Sequence, residues 1–455
     1  MVTTTALAEL QDVLGDALST DPVVCENHRY DWAREPGAGT PVAVVRARTA
    51  ADVQAALRWA STHGVPVVPR GAGSGLSGGS SAVEGGLVVS LAGMRAVEID
   101  VETRVAVVEP GALNLEVKHA AAAHGLWYPP DPSSYEICSI GGNVATNAGG
   151  LCCVKYGVTT DYVLGMDVVL ADGTLITLGG KRIKDVAGLS LLKLFVGSEG
   201  TLGILTRVLL RLIPAQPPRA TLVAAFPTVT AAARAVVAVG RTVRPSMLEL
   251  MDSASVNAVE DYQPMGLDRS AGALLIAQSD APAQAAAAEV AAVEAACRAA
   301  GADDVFATDD PEEGEMFIAA RRLAFTAIEA RGSLLLEDVG VPVPLLPQLV
   351  EGVAAIAAAM QVEIPVVAHA GDGNTHPIII FDPKDAAAAA RAQQAFEQIM
   401  TLALELGGTI TGEHGVGRTK KGALPAQLGA DVMALSHRIK DALDPQGILN
   451  PGAVL

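Results

Sequence analysis

The chain has 455 residues, half of them hydrophobic and 18% charged, and it carries a net charge of −18. That length exceeds one ordinary core and points to two or three domains, while the composition excludes a disordered chain. Only 32 basic residues stand against 50 acidic ones, which argues against a nucleic-acid partner and disfavours an electrostatic anchor on anionic lipid, while leaving docking to a membrane protein open.

Much of the hydrophobicity is alanine, as in Ala281–Ala302, and favours helices. No run of about 18 uncharged, strongly apolar residues is found, so no transmembrane segment is expected. The chain opens with neither a basic start nor a compact apolar segment, and a cytoplasmic address is the expectation. The cysteines Cys25, Cys138, Cys152, Cys153 and Cys297 are odd in number and lack CxxC spacing, as reduced thiols would.

In chain order, residues 1–36 read as a helical lead-in. Val42–Val45 is a β run, and Thr49 with Asp52 forms a capping box before a helix Ala50–His63 stopped by Gly64. A second strand, Val65–Val68, leads into the glycine tract Pro69–Gly79. Further strands are read at Gly86–Leu91, Val105–Val108, Leu164–Leu170 and Gly203–Leu212. The proline-rich stretch at Ile213–Pro218 marks a boundary, giving expected domains 37–214 and 215–455. Beyond it, strands at Leu222–Phe226, Gly272–Gln278 and Ser333–Glu337 alternate with helices near 228–241, 281–300 and 346–360, with closing helices near 384–406 and 430–443. The expected class is α+β, with an antiparallel sheet in the second domain.

Gly73-Ser-Gly75-Leu-Ser-Gly78 satisfies GxGxxG, but a Rossmann fingerprint requires the tract to open a helix. Here it runs toward another strand, so that reading fails. Glycines still allow successive N–H groups to form an anion nest, which suits a pyrophosphate. Pro129–Ser134, the run Ser139–Gly150 and Gly197–Gly203 read as further backbone-exposing loops. A long polar ligand such as a dinucleotide accounts for all of them.

Together Pro69–Gly79, Ile140–Gly150, Asp161–Gly173 and Leu194–Leu205 resemble the FAD domain of the vanillyl-alcohol oxidase superfamily. More narrowly, residues 40–455 resemble its branch of D-lactate dehydrogenases, D-2-hydroxyglutarate dehydrogenases and glycolate oxidase FAD subunits. The resemblance implies a two-subdomain FAD-binding fold of the p-cresol methylhydroxylase (PCMH) type and a separate α+β substrate cap, with the C-terminal helices returning to the flavin domain. It implies flavin contacts along Arg70, Gly71, Ala72, Gly73, Ser74, Gly75, Leu76, Ser77 and Gly78. Pro130, Asp131, Ser134, Gly141, Gly142, Asn143, Ala145, Asn147, Gly149 and Gly150 are implied with them. So are Tyr156, Glu199, Gly203 and Ile204. Relatives that attach flavin covalently use a histidine in the first tract; Ser74 and its neighbours offer none, so the FAD is expected to be non-covalent.

In the second half, Asp372-Gly373 reads as a two-residue hairpin turn. That register sets His369 opposite His376, near enough to share an ion. Glu413 and His414 follow in a glycine-rich loop, and two histidines with a carboxylate suit a catalytic divalent metal. The resemblance implies that His369, His376 and Glu413 bind the metal, zinc or manganese, and that His414 is the base. Arg321-Arg322 offers a clamp for a substrate carboxylate, and the resemblance places an arginine at Arg321. The family commonly carries a polar residue two positions beyond the second histidine. Pro377-Ile378 stands there, as in glycolate-oxidase-like members, which weakens a dicarboxylate reading. Val343 stands where the family usually has an arginine, so one cation the resemblance implies is missing. The expected activity is oxidation of a small D-2-hydroxy acid with hydride transfer to flavin N5. Electrons would pass to a quinone, a cytochrome or an electron-transfer protein; an alternative reading makes the chain the FAD subunit of a glycolate oxidase-like complex that passes them to an iron–sulfur partner. A D-2-hydroxyglutarate dehydrogenase and a flavin-binding subunit without its own chemistry are the rival readings. A homodimer and peripheral attachment at the inner membrane face are further expectations.

Overall fold

A computed structural model describes residues 3–455. The chain divides into two compact units. The first comprises the chain up to Gly149, Val158–Ala215 and Glu413–Leu455; the second comprises Gly150–Gly157 and Gln216–Gly412.

The first unit holds two larger sheets. One has the order Leu18–Ser19, Ala43–Arg46, Leu87–Ser90, Val67–Arg70, with its last three strands parallel. Its strands alternate between two buried faces, as parallel strands covered on both sides do. Val45, Val67 and Val89 pack against Leu10, Val53 and Leu57, while Val44, Val68 and Val88 pack against Ala82 and Cys25. The helix Ala50–His63 starts at the expected capping box: Asp52 N–H donates to Thr49 Oγ1 (3.2 Å) and Thr49 N–H to Asp52 Oδ2 (3.0 Å). The segment read as a helical lead-in contains helices Thr4–Leu14 and Pro22–Asn27, and it also supplies the strand Leu18–Ser19, antiparallel to Ala43–Arg46. The second sheet is antiparallel, in the order Val97–Asp100, Val105–Val108, Ile204–Arg211, Val163–Val169, Leu175–Gly179.

The second unit is built on one long antiparallel sheet. Its order is Asp304–Thr308, Ala220–Phe226, Ala273–Ser279, Met247–Asp252, Val366–His369, Asn374–Phe381, Ser333–Leu336, with Val339–Gly340 beside Asn374–Phe381. Helices Ser253–Tyr262 and Pro311–Glu329 bury one of its faces, where Met247, Met251, Leu274, Ile276 and Val367 meet Ile318, Ala324 and Ile328. Among the described residues, one stretch, Val343–Met360, is long and apolar enough by composition to cross a membrane; it contains Glu351, so it is not an uncharged run. Its helical part packs against Val229–Val239 and Ala386–Glu405 and buries Leu346, Leu349, Val350 and Val353. The last helix begins at Leu424, six residues before its expected start, and kinks at Gly429, whose φ of 75° breaks the α-helical path.

In the first unit the C-terminal segment clasps the glycine tract. Arg418 N–H donates to Ser77 O (2.8 Å), Arg418 Nε to Gly78 O (3.1 Å), and Asn450 Nδ2 to the carbonyls of Gly79 and Glu199 (both 2.8 Å). The Glu199 carboxylate in turn accepts the amides of Val416 (2.8 Å) and Gly417 (2.9 Å). Burial pushes its carboxyl up from 4.5 to about 7, and these two hydrogen bonds only partly oppose that. Between those values the unfolded carboxyl has lost its proton while the buried one keeps it. The unfolded state therefore binds fewer protons, and stability falls as pH rises through the window, by roughly 3 kcal/mol at most. Thermal unfolding followed from pH 4.5 to 8 should show this decline, and Glu199→Gln should flatten it.

Candidate functional site

The tracts read as backbone-exposing loops come together within the first unit. Ser139 Oγ accepts the amides of Ala72 (3.2 Å) and Gly142 (3.3 Å), which ties the glycine tract to the run that follows Ser139. That run is a short helix, Ile140–Thr146, and not the loop its small residues suggested. Ser139 caps it, and a side chain at Gly141 would collide with Pro110, with its Cβ 2.6 Å from Pro110 Cβ. Packing thus overrides the poor helix propensity of glycine. The loop Gly197–Gly203 hangs from the same helix, through Gly197 N–H to Val144 O (2.9 Å) and Glu199 N–H to Ala145 O (2.8 Å). Asn114 Nδ2 links Pro130 O (3.2 Å) to Asn143 Oδ1 (3.1 Å), and Asn147 Oδ1 accepts Thr160 N–H (2.9 Å). Both asparagine side chains therefore brace the protein.

The tract fits an anionic cofactor. It does not open a helix; strand Val67–Arg70 ends and the next element is strand Leu87–Ser90. Among the described residues, no amide from Gly73 to Gly79 donates to a protein acceptor, whereas the carbonyls of Ser77, Gly78 and Gly79 are all taken. A run of unused donors beside satisfied acceptors is the pattern of an anion nest. Arg70 adds a half-buried guanidinium, its pKa lowered by burial. Gly150 and Tyr156 fall in the second unit. The Tyr156 hydroxyl donates to Asp280, which also pairs with Lys155, and lies 3.2 Å from Gln216 Oε1. Burial first, then that carboxylate, raises its pKa.

The second unit gathers charge on the apolar face of its sheet. Along Pro311–Glu329 the buried positions are Gly314, Ile318, Ala320, Arg321, Ala324, Ala327 and Ile328, so Arg321 stands among the core-facing residues while Arg322 pairs with Glu315 (3.0 Å). Arg321 is only 4% exposed. Its Nε lies 2.9 Å from Glu249 Oε2 without the N–H aimed at that oxygen, and its buried Nη2 has no acceptor in the protein. Glu249 is fully buried in strand Met247–Asp252, between Met247 and Met251. Its carboxylate meets His369 Nδ1 at 2.9 Å from both oxygens. Neither that strand nor Glu249 was read from the sequence. The available signal was one carboxylate at the central inward position of an otherwise apolar strand.

The two histidines share a face but are not directly opposed. The register pairs His369 with Asn374 and Val367 with His376, two residues away from the expected pairing. A two-residue turn at Asp372-Gly373 would require Gly371 to pair within the hairpin. Instead Gly371 N–H donates to Leu248 O (3.0 Å), and its Cα packs so closely that a Cβ would sit 2.7 Å from Val154 Cγ2. The connection becomes four residues, Ala370–Gly373. A shift of two keeps both side chains on one face, and the imidazole centroids lie 5.2 Å apart, edge to face. His376 Nδ1 lies 3.7 Å from Asp338 Oδ1, and the other Asp338 oxygen accepts Thr411 Oγ1 (2.6 Å) and Gly412 N–H (2.9 Å). Glu413 is the next residue in the chain. In the first unit, Glu413 Oε1 and His414 Nε2 are 3.8 Å apart, and His414 O accepts the Ser77 hydroxyl (3.1 Å). Imidazoles whose Nδ1 faces a buried carboxylate are the donor set that divalent metals use.

Residues 41–179 match the FAD binding domain family and residues 215–454 the C-terminal domain of FAD linked oxidases. The chain is 42% identical over 415 residues to the glycolate oxidase subunit GlcD of Bacillus subtilis, covering 90% of this chain and 88% of that one. It is 34% identical to D-lactate dehydrogenase of Archaeoglobus fulgidus, covering 92% and 93%. Its fold is like that of substrate-bound p-cresol methylhydroxylase, with a TM-score of 0.83 and 17% identity over 100% of this chain and 97% of that one. The chain is an FAD-dependent oxidoreductase and belongs to the FAD-linked oxidase family of PCMH-type fold.

Ser139 anchors two of the converging tracts. Ser139→Ala should lower stability by about 1 kcal/mol, the usual cost of a lost N-cap. It should also lower the FAD retained after dialysis, read from the ratio of flavin to protein absorbance.

Proposed function

We propose that the chain oxidises a small D-2-hydroxy acid, of D-lactate or glycolate size, to the 2-oxo acid. The buried guanidinium of Arg321 carries this reading, because an arginine with an unclaimed Nη2 in an apolar core row is a place for a carboxylate. The names of the relatives, glycolate oxidase subunit and D-lactate dehydrogenase, support the same substrate class and the D configuration. Pro377 and Ile378 supply no polar group two positions beyond His376, which favours a monocarboxylate over 2-hydroxyglutarate.

Arg321 holds the carboxylate and so orients C2 and its hydroxyl. His414 takes the hydroxyl proton at an imidazole nitrogen. The glycine tract and the neighbouring helix hold FAD, without a covalent bond, and bound FAD supplies the oxidant that takes hydride from C2. His369, His376 and Glu413 are the residues that would hold a divalent ion, zinc or manganese, whose chemistry is to make the hydroxyl more acidic. Magnitudes separate the roles. A metal lowers the pKa of bound water from about 15.7 to about 7, worth roughly 12 kcal/mol of ionisation. A hydrogen bond to a charged group is worth about 1.5–3 kcal/mol. The histidines should therefore govern turnover and Arg321 affinity.

A second reading keeps this chemistry and makes the chain the flavin subunit of a larger assembly. The relative named as a glycolate oxidase subunit supports it. The five cysteines are scattered, and among the described residues none forms a disulfide. An iron–sulfur centre would then sit on the partner, and electrons would leave to it, to a quinone or to a cytochrome. Cytoplasmic action, peripheral to the inner membrane, and a homodimeric state belong to the same proposal.

Anaerobic mixing with D- and L-lactate, glycolate and D-2-hydroxyglutarate should bleach the flavin with the small D-acids and glycolate and leave it oxidised with L-lactate. His369→Ala, fully flavin-loaded, should lose most of the bleaching rate, and a rate equal to wild type would remove the metal from the reading. Arg321→Met should raise KM roughly 10- to 100-fold.

A further inference from the structure

We propose that Glu249 is a positioning residue that couples the histidine site to the substrate-carboxylate site; this rests on the reading above. The observation behind it is one fully buried carboxylate held between His369 and Arg321, in a strand row whose neighbours on either side are Met247 and Met251. The sheet puts it there: Leu250 pairs with Ala368, so Glu249 comes next in register beside His369. The strand's inward row, Met247, Glu249 and Met251, faces the helix that carries Arg321.

Stability alone gives little reason for this carboxylate. Well-packed apolar groups usually serve as well as, or better than, a buried ion pair, and Met247, Met251 and Ile276 already pack the same face. Position gives a better reason. A carboxylate accepting from His369 Nδ1 fixes the proton on that nitrogen and leaves the Nε2 lone pair for an ion, and it locks the ring's orientation. The same carboxylate balances the Arg321 charge and holds its Nε side, which leaves Nη2 as the edge presented to an anion. Moving Glu249 should therefore disturb metal and carboxylate binding together, although the two are bound by different residues.

The test uses the FAD-loaded protein stripped of metal, titrated with zinc against a competing chelator. Wild type should take up one ion. Glu249→Gln should bind zinc about 10- to 100-fold more weakly, with FAD content and circular dichroism unchanged, and should raise KM for D-lactate at saturating zinc. Glu249→Asp should recover part of both. Zinc affinity and KM within twofold of wild type in a folded Glu249→Gln would overturn the coupling while leaving the metal-assisted reading intact. Failure of wild type itself to bind zinc would sink that reading, and the coupling with it. If the Gln variant does not fold, 15N-imidazole spectra of metal-free wild type decide. His369 protonated on Nδ1 supports the proposal, and protonation on Nε2 alone refutes it.

Discussion

A sheet face covered by two helices must be apolar or internally neutralised, because an unpaired charge there has no water to turn to. The second unit meets that constraint with a chain of partners. Arg321 leans on Glu249, Glu249 holds His369, His369 stacks edge-on against His376, and His376 faces Asp338. Each group is buried, and each is tolerated because its neighbour compensates it. Asp338 extends the chain by gripping Thr411 and Gly412, the residues that lead directly to Glu413 and His414. The proposed chemistry depends on this row keeping its order.

The first unit applies the opposite arrangement to backbone groups. Its glycine tract is anchored through carbonyls, by Arg418 and Asn450, while the amides from Gly73 onward are left to something outside the protein. A surface of donors with its acceptors tied down has a fixed polarity, which suits a pyrophosphate. Glu199 fastens the C-terminal segment to the same region at the cost of burying a carboxylate.

Local rules carried much of this structure. The capping box at Thr49 and Asp52, the stop at Gly64 and the failure of the Rossmann reading all depend on neighbours a few residues apart, and each agrees with the sequence reading. Trouble arose where packing outweighed propensity. Ser139 and Pro110 turn Ile140–Thr146 into a helix. Leu248 and Val154 claim Gly371 and lengthen the hairpin loop, so the histidine register moved by two although their shared face did not.

By itself the sequence determined the class of protein: a glycine-rich cofactor tract, a histidine–carboxylate set, a candidate arginine and a chain of more than one unit. These are matters of residue type and short spacing, which local chemistry constrains. Only the tertiary structure set Arg321 in the core-facing row and brought in Glu249, which lies 120 residues from the histidine it holds. A carboxylate in a strand acquires a role only from what the neighbouring strand and the covering helix place against it, and strand order over such distances is set by the packing of the whole sheet.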